Sequence, residues 1–357
     1  NSNTRYLHPI QKEISENILS RFSKKFSVVY LVNSGSEANE LALRLAKTYT
    51  QSKDLITFDH GYHGNTNAVI EVSPYKFNKP NGIGKKQWVH VIDCPDPFRA
   101  VNPKYQIDEI LKKLKSKKRG LACFISEIFP SVAGQIIPQD GIMSYIYEKV
   151  KKAGGICIAD EVQTGLGRLG DFYFGFEQQK VDPDIVVLGK PIGNGHPIGV
   201  VITTEEIAKS FDNGIEFFST FGGSDLSCLI ANEVLKIVDD ENLKSNAKKM
   251  GDILINELHK LKFKFPIMGD VRGLGLFLGV EIVKNVKTKE PDTLKADYIC
   301  NRLREKNILI GLEGPSENVI KIRPPLCLNK EDVFTFIRAF SEVLSDTSLN
   351  NEFKKLN

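Results

Sequence analysis

The chain has 357 residues, 41% of them hydrophobic and 26% charged, with a formal net charge of +4. This is the composition of an ordinary globular protein, long enough for one large domain and a smaller one. The slight positive balance is dispersed and no apolar run approaches the roughly 20 residues of a membrane-spanning helix, so neither nucleic acid nor a membrane is expected as a partner.

The chain opens on a polar stretch, NSNTRYLHPIQ, with no initiator Met and no signal-peptide features. Residues 1–24 read as the remnant of an N-terminal segment, whose remainder is either absent or part of a longer polypeptide. From residue 28 to residue 204 short apolar runs alternate with amphipathic segments: VVYLVNS (28–34), LITFD (55–59), WVHVID (88–93), LACFISEI (121–128), GICIADEV (155–162), DIVVLGK (184–190) and GVVITT (199–204). Runs of this length read as strands buried on both faces by helices. Helices are expected at 36–50, 107–118 and 142–153, the last with Ile142, Tyr145, Ile146 and Val150 at helical spacing. The cluster Lys112, Lys113, Lys115, Lys117, Lys118 and Arg119 reads as a solvated helix face. The fold class is α/β with a mostly parallel central sheet.

After Gly222 and Gly223 the pattern changes to long helices at about 224–240 and 242–262. Apolar runs at 273–283, 307–311 and 318–322 read as strands, with helices at 292–305 and 331–344. The expected division is a large domain over 25–239 and a smaller α+β C-terminal domain over 240–357. The six cysteines, Cys94, Cys123, Cys157, Cys228, Cys300 and Cys327, form no close pairs, and several sit in apolar runs. Buried free thiols in a reducing compartment fit them better than disulfides or metal ligands, which makes the expected location cytoplasmic.

Three features carry chemistry. Ser34 followed by Glu37 is a capping box, so a helix starts here, and Gly35 and Ser36 present first-turn N–H groups to an anion at the end of a strand. An ordinary helix cap reads the same way. In IADEVQTG, Asp160 closes an apolar strand, where a carboxylate needs a cation or donor; a protonated pyridine nitrogen, a metal and a structural ion pair all qualify. In DIVVLGKPIGNG, Lys190 follows an apolar strand; desolvation would lower its pKa and free a neutral amine, although a lysine can also snorkel out of a strand end.

Together, a phosphate-ready helix end, an acid at a strand end and a lysine at another are the anchors of pyridoxal 5′-phosphate (PLP). NSGSEAN, DHGYHG, ADEVQTGLGRLG, LGKPIGNGHPIG, STFGG and GDVRGLGLFLGVE occur in the order of the class III (ornithine/ω-amino acid type) aminotransferases, and the resemblance runs from about Asn3 to Leu344. It implies the fold type I architecture and an enzyme that processes a small-molecule amine through a Lys190 Schiff base. It further implies phosphate binding by Gly35 and Ser36, ring stacking by Tyr62 with His63 beside it, and Asp160 on the pyridine nitrogen. Val162 would press on the opposite ring face, Gln163 would reach the phenolic oxygen, and Glu127 would stand near the ring. Lys190 would also move the substrate proton. Thr220 resembles a residue given to the phosphate of a neighbouring subunit, which implies a homodimer with shared active sites. No metal is implied. Arg168 and Arg272 read as structural ion-pair partners.

Two positions depart from the family pattern. Where α-carboxylated substrates are gripped by an arginine, VIKIRPPL places Lys321, with Arg323 two residues on; where an acid neutralises that arginine, EIFPSVAG places Val132. These positions, with IEVSPYKF (70–77), resemble the subgroup of phospho-lyases acting on phosphoethanolamine or phosphohydroxylysine. Transamination is the family default and phosphate elimination the alternative, with Lys321, Lys76 and Lys79 as candidate partners of a substrate phosphate. A catalytically silent PLP-binding domain of a longer protein is the remote third reading.

Overall fold

Seven strands build the central sheet: β1 (Phe26–Val32), β2 (Asp54–Phe58), β3 (Val89–Ile92), β4 (Leu121–Glu127), β5 (Ile156–Asp160), β6 (Ile185–Leu188) and β7 (Gly199–Thr204). Their order in the computed structural model, which describes residues 5–346, is β1-β7-β6-β5-β4-β2-β3. The five strands from β3 to β6 are parallel neighbours, and β7 runs antiparallel to both β6 and β1. Every residue of β2, β4, β5 and β6 is buried, which is why these strands read as unbroken apolar runs.

Helices cover both faces. Gly35–Thr50 buries Ala38, Leu41, Ala42 and Leu45 at i, i+3, i+4 and i+7 against one face, and Ile142–Lys152 buries Ile142, Ile146 and Val150 against the other. The helix Pro9–Leu19, within the stretch read as a remnant, packs Ile10, Ile14 and Ile18 into the same core and lies along the helix Asp225–Asp240. The basic cluster is solvated at Lys112, Lys113, Lys115, Lys117 and Lys118, whereas Arg119 pairs with the buried Asp54 at 2.7 Å.

A second, antiparallel sheet comprises β8 (Met268–Leu274), β9 (Phe277–Asn285), β10 (Glu290–Pro291), β11 (Gly311–Glu313) and β12 (Val319–Ile322). Its core is shared with the helices Leu243–Lys264, Thr293–Glu305 and Lys330–Leu344. Two strand expectations need correction. The run 273–283 is a tight hairpin rather than one strand: Gly275 has φ +53°, and a Cβ there would stand 2.4 Å from the Arg168 carbonyl oxygen. Close approach of the 168–170 loop forces this turn, and only glycine fits it. The run 307–311 is strand only at its last residue, since pairing with β12 begins at Gly311 opposite Lys321 and Leu309 is left exposed.

All six cysteines are unpaired. Cys123, Cys157 and Cys228 are buried as expected, Cys94 and Cys300 are half-buried, and Cys327 is exposed because it follows the Pro324–Pro325 turn rather than lying in a strand. Among the described residues no helix is long and apolar enough to cross a membrane.

Candidate active site

The carboxyl ends of the parallel strands converge, the place where open α/β sheets bind ligands. In the β4–β5 register Glu127 stands opposite Asp160, and Lys190 begins the short 3₁₀ turn two residues past β6. Gly35, Ser36, Tyr62, His63, Glu127, Asp160, Val162, Gln163 and Lys190 line one cavity.

Asp160 is fixed on three sides. Its Oδ2 accepts from Asn39 Nδ2 at 2.9 Å and lies 2.8 Å from His63 Nδ1, and its Oδ1 accepts from the Val162 N–H at 3.1 Å. His63 is held in turn by its backbone N–H to Ser73 Oγ and its carbonyl oxygen to Asn39 Nδ2. Sequence reasoning missed Asn39. The signal was present: an asparagine on the apolar face of the helix Gly35–Thr50, flanked by Ala38 and Ala42, needs buried partners.

At the helix start, Ser34 Oγ accepts from the Glu37 N–H at 3.1 Å, and Glu37 Oε2 accepts from the Asn33 N–H at 2.8 Å. The return bond of the expected capping box thus goes one residue further back than Ser34. The first-turn N–H groups of Gly35 and Ser36 have no intrahelical acceptor. The 61–65 loop sits directly on this end: Ser36 Oγ accepts from the Asn65 N–H, and a Cβ at Gly64 (φ +137°) would stand 2.5 Å from Ser36 Oγ. A Cβ on Gly35 would likewise meet Val162 Cγ2 at 3.1 Å.

Lys190 is not buried as its apolar flank suggested; the residue is exposed to the cleft. The protein around it is nevertheless dense enough that desolvation lowers its pKa from 10.5, with Arg323 and Lys321 adding to the fall and Asp160 and Glu127 opposing it. Its backbone has φ +33°, a left-handed conformation uncommon outside glycine and one that collects at functional sites.

Glu127 and Glu161 are both buried, and burial raises both carboxyls from 4.5 to about 7. Glu161, also missed from sequence, accepts from the Phe176 N–H at 2.9 Å and from Thr164 Oγ1 and so ties down the loop that carries Val162 and Gln163. Across pH 4.5 to 7 the native protein therefore binds more protons at these sites than the unfolded chain, and stability falls as pH rises through that window. Urea unfolding of cofactor-free protein at about pH 5 and about pH 8 checks this. Glu161→Gln should shrink the loss of stability between the two by on the order of 2 kcal/mol. An equal loss in both proteins would clear Glu161 of this titration.

The other expected residues are dispersed. Lys76 is exposed, its Nζ 5.4 Å from the Tyr62 ring centroid, and Tyr62 meets Tyr75 edge-on at 5.7 Å. Lys321 Nζ pairs with Glu313 Oε1 at 2.5 Å. Lys79 lies 3.5 Å from Glu317. Val132 is buried. Thr220 is exposed and does not line the cavity. Arg272 is the structural ion-pair partner expected, bound to Asp270 and Glu281, whereas Arg168 bonds to the Leu276 and Pro324 carbonyl oxygens instead of a carboxylate.

The donor set fits PLP. Asn39 Oδ1, Glu127 Oε1 and Gln163 Oε1 are buried without a hydrogen-bond partner, and all three residues line the cavity that Lys190 enters. Free helix N–H groups suit a phosphate, and a fixed carboxylate suits a pyridinium.

Comparison with known proteins agrees. The chain is 44% identical to Drosophila melanogaster alanine–glyoxylate aminotransferase 2-like over 96% of this chain and 73% of that protein. It is 38% identical to Caenorhabditis elegans ethanolamine-phosphate phospho-lyase homolog 1 over 96% of this chain and 78% of that one. An Arthrobacter phospholyase solved in complex with phosphoethanolamine superposes with a TM-score of 0.91 at 32% identity, covering 96% of this chain and 83% of that one. A PLP-bound amine transaminase from an uncultivated Pseudomonas species gives a TM-score of 0.86 at 26% identity, over 96% and 83% of the two chains. The family described as Aminotransferase class-III matches residues 4–344. Because that match takes in every strand end that lines the cavity, the chain belongs to the PLP-dependent class III aminotransferases.

Proposed function

We propose that the chain transfers the amino group of a small primary amine to a keto acid, with Lys190 as the reacting amine. The observation that carries this reading is the single cavity into which Lys190, Asp160 and the helix end at Gly35 all open. Gly35 and Ser36 would hold the PLP phosphate, Tyr62 and Val162 the two ring faces, Asp160 the pyridine nitrogen and Gln163 the phenolic oxygen, with Glu127 near the ring. Bound PLP supplies an electron sink that lets the C–H bond next to the amine nitrogen ionise. Lys190 Nζ takes up that proton and returns it, a task suited to an amine whose pKa is lowered by desolvation from the protein around it. His63 and Asn39 keep Asp160 oriented through their bonds to its Oδ2.

Phosphate elimination is the second reading, favoured by Val132 and Lys321 and by the two phospho-lyase relatives. There the proton lost at the carbon beside nitrogen is matched by departure of phosphate from the next carbon, and no keto acid is consumed. Phosphate release from PLP-loaded protein given phosphoethanolamine alone separates the two. Catalytic phosphate and ammonia establish the lyase; an amine-dependent loss of the visible band, reversed by a keto acid and without phosphate, establishes the transaminase. No spectral response to any amine would support the silent PLP-binding domain.

The same reading makes the working unit a cytoplasmic homodimer with shared active sites. The exposed Thr220, outside its own chain's cavity, and the unpaired cysteines support it. A monomeric mass for PLP-loaded protein in sedimentation would sink the dimer.

A further inference from the structure

We propose that Arg323, rather than Lys321, receives the oxyanion carried by the amine substrate, whether phosphate or carboxylate. The inference rests on the reading of Lys190 as the reacting amine. Lys321 is the candidate by sequence and Arg323 lies two residues on, but the fold treats them differently. Lys321 lies in β12, and its ammonium is neutralised across the β11–β12 pair by Glu313. Arg323 leaves the strand just before Pro324 and Pro325, whose rings restrict the backbone that presents it.

The Arg323 guanidinium lies over the Phe277 ring at 5.9 Å from its centroid, but its N–H donors are under-used. Its Nη2 donates to the Gln163 carbonyl oxygen at 2.8 Å, whereas its Nε is shielded from solvent and has no partner. No carboxylate lies within ion-pair distance of it among the described residues. The two acids whose charge acts on it are Glu127, whose Oε2 accepts from the Ser131 N–H, and Glu313, which is already paired with Lys321. A shielded, unneutralised guanidinium with spare donors is costly unless an anion completes it.

Position supplies the second argument. Arg323 and Lys190 border a cavity with Arg168, and the only acid on its lining is the exposed Glu241. Gly35 and Ser36 line the adjoining cavity, which shares Lys190 but not Arg323. The cofactor phosphate and a substrate oxyanion would therefore have separate seats, with the reacting amine common to both. Burial also lowers the Arg323 pKa to about 10, with Glu127 and Glu313 opposing the fall, and that of Arg168 to about 9, with the Arg323 charge adding to it.

The test is a spectral titration of PLP-loaded wild type, Arg323→Met, Arg323→Lys and Lys321→Met with 2-aminoethyl phosphate, 3-aminopropanoate and ethylamine. Arg323→Met should raise the half-saturating concentration of at least one anionic amine by about 10–100-fold while moving ethylamine by less than about twofold. Arg323→Lys should fall between wild type and Met, and Lys321→Met should shift less than Arg323→Met. Which anionic amine suffers identifies the oxyanion. An equal shift for all three amines would make Arg323 merely the support of the Gln163 carbonyl and overturn the proposal, as would no shift at all. If wild type itself answers to no amine, the reading of Lys190 fails separately. Calorimetry with inorganic phosphate then decides Arg323 by itself: weaker binding by Arg323→Met keeps the anion seat, and equal binding removes it.

Discussion

Lys190→Ala should lower turnover of the PLP-loaded enzyme by about 10³–10⁴-fold or more, because in the proposed function the same Nζ would both hold the cofactor and move the substrate proton. Cofactor binding should weaken but persist, since the helix end at Gly35 and Ser36, Asp160 and Gln163 are untouched. Lys190→Arg should be no better than alanine: its guanidinium keeps its proton at any working pH. The backbone offers a control. Lys190 sits at φ +33°, so Lys190→Gly should fold more stably than Lys190→Ala by about 1 kcal/mol while being equally inactive. A small added amine should restore part of the activity in both by supplying the missing base. Turnover within about tenfold of wild type in Lys190→Ala would remove Lys190 from the chemistry.

Much of this site was legible because buried parallel strands leave little choice of residue. Asp160 and Lys190 are conspicuous as charges at the ends of apolar runs, and Ser34 and Glu37 mark the helix start without any tertiary knowledge. Asn39 and Glu161 were harder. Their importance lies in partners at distant positions, Asp160 and His63 for one, Phe176 and Thr164 for the other, and periodicity records only that such residues are buried. The contrast between Lys321 and Arg323 was out of reach for the same reason. Alternation along a strand puts both on one face, but only the pairing of β11 with β12 brings Glu313 to Lys321 and leaves Arg323 for the cleft. The hairpin at Gly275 failed in the opposite way: a continuous apolar run hid a turn that the approach of the Arg168 carbonyl requires.

Asp160→Asn should cost about 10²–10³-fold in turnover, the scale on which loss of one charge from a buried, paired site is felt. The substitution changes almost no volume, so its effect is electrical and directional. Both neighbours of Oδ2 are placed as donors, Asn39 through Nδ2 and His63 through Nδ1, while Oδ1 takes the Val162 N–H. An asparagine can keep one oxygen for Val162 only by turning its own NH₂ toward two donors, or keep the acceptor there and lose Val162. Either way a buried group goes unpaired, and the negative charge that would face a pyridinium disappears. His63→Asn is the informative companion, because it leaves the carboxylate charged and removes only a partner; its loss should be about tenfold. Turnover, PLP affinity and the pH dependence of the visible band should therefore separate the two variants. Asp160→Asn should shift the band's titration, since the charge beside the ring is gone, and His63→Asn should shift it much less. If both variants lose activity equally with unchanged spectra, Asp160 serves only to pack the ends of β4 and β5, and the electrostatic role assigned to it here is wrong.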